Sequence, residues 1–368
     1  MEWNYISNVK ESSGYEDIID KIYTYTPDEY NSATTERKQQ MVDELFDIYR
    51  SKNIYPITYY NDDGIIEQIQ DCINKDVEWD GINLNFRYLQ GNNLCRFLFR
   101  NLERVSVGTA RNNSMYNRFY DDYKLKKSIE LCLRYEIPRP IGILRCMRLI
   151  GGGVATNFHA MKAKAIYEKY CPKDGIIYDY ACGFGGRMLG ALSSKNNYKY
   201  FGVEPNTESF KWLNELGKYI EIATGRKDIF KIYCKGSEKY FAKENYCDFA
   251  FSSPPYFNLE KYSDEPTQCY NKYPQIDEWF KGYVEPTISN TYKMLKPGSF
   301  YAVNIADFNI GSKRIEYVSS WIDIAQKIGF EYVEEILMQL QTRRGTGHKE
   351  NGEDKKKNEG IFVFKKTW

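Results

Sequence analysis

Histidine is almost missing from this chain: His159 and His348 are the only two among 368 residues, and they lie far apart in the sequence. A histidine-based metal site or a Ser-His-Asp triad is hard to build from that supply. The nine cysteines (72, 95, 132, 146, 171, 182, 234, 247 and 269) are odd in number, widely scattered and without a Cys-x-x-Cys pair. That usage fits a reducing compartment and gives neither a disulfide framework nor a zinc pattern, so no metal is expected. No run approaches the ~18 consecutive apolar residues of a membrane span. The opening residues Met1-Glu2-Trp3-Asn4-Tyr5 lack the basic-then-apolar order of a secretion signal. The expectation is a cytoplasmic protein with no membrane partner; oligomeric state is left open.

What is present supports a folded chain of about two domains, at ~150 residues each. Hydrophobic residues make up 42% and charged residues 27%, enough for a packed core and too apolar for wholesale disorder. The net charge of +1 hides an asymmetry. Residues 1–84 hold 7 Lys/Arg against 18 Asp/Glu, whereas residues 85–150 hold 13 against 5. Arginine mixed with Asn, Tyr and Phe is a composition that grips phosphate and stacks on bases. It is equally the composition of a solvated helical surface paired with the acidic segment before it.

Helical spacing appears at 35–51 and 114–134, as in Met41, Leu45, Ile48 and Leu125, Ile129, Leu133. Pro138 and Pro140 then mark a break before Gly151-Gly152-Gly153. The expected division is a mainly helical domain over 1–150 and a second domain over 151–368. After residue 158 the texture alternates. Strand-like runs fall at 176–180, 199–203, 229–234, 247–251, 299–305, 330–338 and 360–364, with helical stretches at 187–194, 206–222, 276–295 and 315–328. This alternation predicts an α/β fold with a mostly parallel sheet, whose ligands bind outside the carboxyl ends of the strands.

Chemistry-bearing residues cluster at those strand ends. Asp179-Tyr-Ala-Cys-Gly183-Phe-Gly185-Gly186-Arg187 follows the first strand and opens a helix. Its glycines allow a tight turn and close approach of a ligand, although a purely structural turn fits as well. The second strand ends in Glu204, a carboxylate able to accept both hydroxyls of a ribose. The third leads to Gly236-Ser237-Glu238, placed to meet an adenine ring. Three such ends in succession point to a nucleoside-type cofactor. The fourth strand runs into Ser252-Ser253-Pro254-Pro255-Tyr256. Two prolines remove two N–H donors and leave carbonyls free to accept. Ser253 Oγ and the Pro254 carbonyl suit the two hydrogens of an exocyclic amino group, and Tyr256 offers a ring face for a base.

In this order, the glycine turn, the ribose acid and Ser-Pro-Pro-Tyr resemble the S-adenosylmethionine-dependent DNA amino-methyltransferases, most of all their N4-cytosine members. The resemblance covers roughly residues 157–368, including a last strand at Glu359–Lys365, and the motif order is gamma-like. It departs from the family at Tyr180 and Ala181, where Pro and Phe are frequent, and at Ser237-Glu238, where Asp is frequent. It implies a Rossmann-like seven-stranded sheet and S-adenosyl-L-methionine as cofactor. Phe158, Asp179, Ala181, Gly183, Gly185 and Arg187 would surround the methionine portion, with Arg187 serving either a ligand or helix-start packing. Glu204 would take the ribose, and Ser237 or Glu238 the adenine. Ser252 would belong to the same cofactor shell, and Ser253, Pro254, Pro255 and Tyr256 would hold and stack the flipped base.

The implied activity is methyl transfer to cytosine N4 in DNA, with adenine N6 as the alternative. RNA or protein acceptors, or a non-catalytic binding module, stand further off. Cytosine C5 chemistry is disfavoured, because it uses a Pro-Cys nucleophile and none of the twelve prolines precedes a cysteine. Three regions are candidates for reading DNA: the loop 257–275, the basic segment 341–359 with Arg343, Arg344 and Lys355-Lys356-Lys357, and the basic band 85–150.

Overall fold

All seven strand-like runs form strands, and an eighth, unforeseen strand joins them. The computed structural model describes residues 25–86, 88–108, 114–151, 153–339, 349–350, 353–354 and 358–367. The Arg343-Arg344 pair, His348 and the lysine run 355–357 lie outside the described residues. In chain order the main elements are α1 (Thr35–Lys52), α2 (Asp62–Asn74), β1 (Asn83–Leu84), α3 (Asn92–Leu98), α4 (Asp122–Tyr135), α5 (Pro140–Leu149) and α6 (Ala160–Tyr170). There follow β2 (Ile176–Asp179), α7 (Gly186–Leu192), β3 (Lys199–Val203), α8 (Thr207–Thr224), β4 (Phe230–Tyr233) and β5 (Cys247–Ser252). The chain closes with α9 (Glu285–Met294), β6 (Leu295–Ile305), α10 (Tyr317–Ile328), β7 (Phe330–Gln339) and β8 (Asn358–Lys366).

The sheet order is β1-β7-β8-β6-β5-β2-β3-β4. Every pairing is parallel except those of β8, which runs antiparallel to both β6 and β7. This is the expected Rossmann-like α/β fold, with eight strands instead of seven. The additional strand, Asn83–Leu84, lies beside Leu337 and Met338 at the outer edge. A two-residue strand leaves too short an alternation to be read from sequence.

From β2 the chain builds outward through β3 to β4, then crosses back to place β5 on the other side of β2. The reversal creates a crevice at the carboxyl ends of β2 and β5, the place where open α/β sheets bind ligands. Burial fixes the register. Ile177, Tyr178, Phe249, Ala250, Phe251, Ala302 and Val303 are all fully buried, as expected for strands covered on both faces.

Contacts divide the chain into two units, one of residues 1–64 and 103–155 and one of 65–102 and 156–368. This boundary differs from a single cut near residue 150, and the reason is local. Lys164 Nζ donates to the carbonyls of Cys72, Ile73 and Lys75, capping the end of α2, while Asn83–Leu84 completes the sheet edge.

Within the first unit, α1 starts at the N-cap Thr34 and buries Met41, Val42, Leu45 and Tyr49. Part of the basic band is spent here on structure. Arg118 is wholly buried and donates to the carbonyls of Met147, Gly151 and Gly153. Lys126 pairs with Asp43, and Arg50 with Asp122, so the two segments are joined by ion pairs within this unit. No helix among the described residues is long and apolar enough to cross a membrane.

Candidate active site

Asp179, the last residue of β2, is fully buried and acts as a hub. Its Oδ1 accepts from the Ala181 N–H at 3.1 Å and from Ser252 Oγ at 2.7 Å. Its Oδ2 accepts from Arg187 Nε at 2.8 Å and from Tyr200 Oη at 2.6 Å. Arg187 also donates to the Ala181 carbonyl. A buried carboxylate holding this many donors organises the turn and ties the ends of β2, β3 and β5 together. Of the two roles open to Arg187, the geometry favours packing at the helix start, since its guanidinium is turned inward onto Asp179. Tyr200, hidden inside an apolar strand, was not foreseen.

The glycines of the turn do different work. Gly183 (φ +59) and Gly185 (φ +76) adopt left-handed backbone that favours glycine. A Cβ at Gly185 would strike Phe99 at 2.6 Å, and one at Gly186 would lie 1.9 Å from the Phe158 carbonyl oxygen. Those two positions serve packing. A Cβ at Gly183 would make only ordinary contact, 3.8 Å from the Ala181 carbonyl oxygen and 3.9 Å from Arg187 Nη2, so this residue alone of the three admits a side chain without a clash. The segment before α6 covers the turn, with Asn157 Nδ2 donating to the Phe184 carbonyl and the Phe158 ring edge-on to Phe251 at 5.3 Å. His159, buried against Lys162, is depressed to about 4 by burial first and by that lysine second, which keeps it neutral.

Glu204 is 7% exposed, with Oε2 accepting from the Gly183 N–H at 2.8 Å and Oε1 from the Asn206 N–H at 2.9 Å. Burial raises its carboxyl to about 7, against the lowering effect of those two donors. A carboxylate so placed retains lone pairs for two further donors, the requirement of a ribose diol. On the neighbouring strand end, Ser237 Oγ shares a hydrogen bond with Thr287 Oγ1 at 2.8 Å. Glu238 Oε1 pairs with Lys272 Nζ at 2.9 Å. Both residues sit at the carboxyl end of β4, engaged with their own chain.

At the end of β5 the chain places Ser253 between two strands. Its Oγ lies 3.3 Å from Asn304 Oδ1 and 3.4 Å from the Asn304 carbonyl, so its proton is directed at Asn304. The Oγ lone pairs are thereby left to accept. Asn304, 2% exposed near the end of β6, is anchored by Nδ2 donating to the Gly360 carbonyl. It was missed in the sequence, although a lone polar residue in the apolar run Ala302-Val303-Asn304-Ile305 is a usable signal. The Pro254 carbonyl has no hydrogen-bond partner among the described residues. The Pro255 carbonyl accepts from Tyr317 Oη at 3.4 Å. Tyr256 donates to Glu359, and its ring is held edge-on by Phe308 and Tyr317. Phe257, next in the chain, has φ +50, an uncommon conformation for a bulky residue.

The loop 257–275 is pinned at three points. Glu265 accepts from the Thr207 N–H and hydroxyl at the start of α8. Thr267 donates to the Pro205 carbonyl, and Lys272 reaches Glu238. The loop thus lies over the ends of β3 and β4.

No family model matches the chain. A curated relative, the type II beta methyltransferase M.BslI of Bacillus sp. (strain NEB-606), is 30% identical over 182 residues. The match covers 45% of this chain and 18% of the relative, so the chain spans less than a fifth of that protein's length. Similar solved structures include the [4+2]-cyclase SpnF, with 12% identity, TM-score 0.39, and coverage of 56% of this chain and 81% of that one. They also include a TehB-like SAM-dependent methyltransferase of Corynebacterium glutamicum, with 12% identity, TM-score 0.36, and coverage of 58% and 90%. A geranyl diphosphate methyltransferase in complex with SAM has 10% identity, TM-score 0.39, and coverage of 56% and 85%.

Proposed function

We propose that this chain transfers a methyl group from S-adenosylmethionine to the exocyclic amino group of a base in DNA, cytosine N4 first and adenine N6 as the alternative. One observation carries the reading. At the crevice between β2 and β5, the glycine turn with Glu204 and the Ser253-Pro254 acceptors lie side by side, joined by the 2.7 Å bond from Ser252 to Asp179. The curated relative's name, a methyltransferase, supports the reaction class. The choice of DNA and of cytosine rests on the resemblance of Ser-Pro-Pro-Tyr. The gamma-like motif order belongs to this proposal too, the relative being named a beta methyltransferase.

The cofactor, when bound, supplies an electrophilic methyl on a sulfonium. Gly183 offers the open approach, and Glu204 takes the ribose hydroxyls. Ser237, Glu238 and Lys272 form the wall that meets the adenine. Ser253 Oγ and the Pro254 carbonyl accept the two amino hydrogens of the target base, which directs the nitrogen lone pair toward the methyl. Positioning of this kind lowers a barrier by several kcal/mol and needs no strong base. The same two acceptors stabilise the positive charge that develops on the nitrogen, the sulfur would depart as a neutral thioether, and the methylated nitrogen would give up one proton to solvent. Tyr256, held by Glu359, presents its ring to a base that has left the stack at a cost of a few kcal/mol. Among the basic band's side chains, Lys127 and Arg134 are about half-exposed, each paired with Glu130 at the surface, and we assign phosphate contacts to them. Arg118 is excluded from that role by its burial.

The test is incubation with methyl-labelled S-adenosylmethionine and, separately, duplex DNA, RNA and a protein mixture. Label entering duplex DNA supports the proposal. Label entering RNA or protein alone moves the assignment to that acceptor.

A further inference from the structure

Cys132, Glu136 and Cys146 are 14 residues apart end to end and follow no recognised metal pattern in the sequence, yet the first unit folds them together. Cys132 lies in the last turn of α4, Glu136 caps that helix, and Cys146 projects from α5 after the short turn at 137–139. The two Sγ atoms and a Glu136 carboxylate oxygen all lie within 4.8 Å of one another. Both cysteines are buried and the glutamate is half-buried, and Cys132 Sγ donates to the Ile137 carbonyl at 3.8 Å. No disulfide joins them.

The α5 backbone approaches the trio closely because residue 142 has no Cβ. Gly142, in the first turn of α5, faces the trio. A Cβ there would come within 3.0 Å of Cys132 Sγ and 3.3 Å of a Glu136 carboxylate oxygen. Arg145 Nη1 lies 3.0 Å from Glu136 Oε2. Two thiolates and a carboxylate around a divalent ion carry one net negative charge, which this guanidinium offsets.

We propose that Cys132, Cys146 and Glu136 form a binding site for a soft or borderline divalent cation, zinc or cadmium in character, with solvent completing a four-coordinate shell on the Glu136 side. Thiolate pairs select such ions over magnesium or calcium, and two sulfurs with oxygen ligands suit a tetrahedral ion. The ion would staple α4 to α5 across their connecting turn. Its binding would release both thiol protons, so affinity would rise with pH. The site stands apart from methyl transfer and does not depend on that reading.

The test uses the reduced full chain, loaded with Zn2+ or Cd2+ alone and passed through gel filtration. The expected result is one metal per chain and, for cadmium, an ultraviolet thiolate-to-metal absorption band. Both are lost in Cys132→Ser and in Cys146→Ser, and both are kept in Cys234→Ser, the exposed cysteine elsewhere. Because either serine variant can destabilise the helix pair, X-ray absorption on the zinc-loaded native chain provides an independent readout. Two sulfur neighbours at about 2.3 Å and oxygen or nitrogen neighbours at about 2.0–2.2 Å are expected. Reduced native protein that retains no metal overturns the proposal, as does a band unchanged in both serine variants. A Cys132–Cys146 disulfide formed on oxidation, with no metal held by the reduced chain, overturns it as well and assigns the pair to redox chemistry.

Discussion

Replacing Glu204 by Gln removes a negative charge and one acceptor from the centre of the proposed ribose site. In the native chain the two carboxylate oxygens accept from Gly183 and Asn206, each through one backbone N–H. The amide NH2 of a glutamine must face one of those donors, which loses that bond and also one contact to the ribose. A hydrogen bond to a charged group contributes about 1.5–3 kcal/mol, so cofactor affinity is expected to fall roughly 10- to 100-fold. A second, independent effect is pH. Burial lifts the Glu204 carboxyl from 4.5 to about 7, so ionising it in the folded chain costs roughly 3 kcal/mol more than in water. Stability contributed by this group is therefore present below the unfolded value and is lost as pH rises through about 7.

Cofactor binding runs the opposite way, because ribose hydroxyls donate to the ionised form. Affinity should weaken as pH falls below about 7, approaching tenfold per unit, and Glu204→Gln should flatten that dependence. Calorimetric titration with S-adenosylhomocysteine between about pH 5.5 and 8.5 measures both effects. A native affinity independent of pH, with Glu204→Gln binding as tightly as the native chain, would refute the assignment of the ribose to Glu204.

Further outcomes follow from the same geometry. Ser253→Ala should lower kcat about 100-fold with cofactor affinity unchanged. Asn304→Ala should lower it less and add little in the double variant, since Asn304 acts through Ser253; additive losses in single-turnover kinetics would separate the two residues. Arg187→Ala leaves Asp179 buried without its cation and should cost about 3–5 kcal/mol in denaturant unfolding, whereas near-native stability would remove the hub role. Gly186→Ala drives a Cβ onto the Phe158 carbonyl and should cost about 3 kcal/mol. Gly183→Ala meets no clash, so it should cost only about 1–2 kcal/mol of folding, for its left-handed backbone, and show its main loss in cofactor binding. Equal effects of the two glycine substitutions on both readouts would contradict the division of roles within the turn.

Strands and helices from residue 176 onward were legible because apolar runs and turn residues act locally, and each of the seven longer sheet strands has its run, unlike Asn83–Leu84. The stretch 276–295 is helical from 276 to 294, as Ile276–Trp279, a π turn at Phe280–Val284 that continues it, and α9, with Pro286 in the first turn of α9. The motif residues Asp179, Glu204 and Ser253 were visible by type and position, because carboxylates and hydroxyls at strand ends stand out. Their partners were not. Tyr200 and Asn304 meet Asp179 and Ser253 only after the sheet forms, across 21 and 51 residues of sequence. The inward turn of Arg187 and the trio of Cys132, Glu136 and Cys146 are likewise products of tertiary packing. Net charge was the weakest guide, since burial of Arg118 and the Lys126–Asp43 pair use up part of the basic band without any partner molecule.

The central claim is that Ser253-Pro254-Pro255-Tyr256 presents an exocyclic amino group to the cofactor's methyl. The most direct measurement is the identity of the methylated nucleoside after incubation of the native chain with duplex DNA and labelled S-adenosylmethionine, resolved by digestion and mass spectrometry. Ser253→Ala and Tyr256→Ala are run alongside. N4-methylcytosine, or N6-methyladenine under the alternative, is expected from the native chain and neither product from the two variants. Methyl on a ring carbon, or an amino-methylated base formed equally well by both variants, would contradict it.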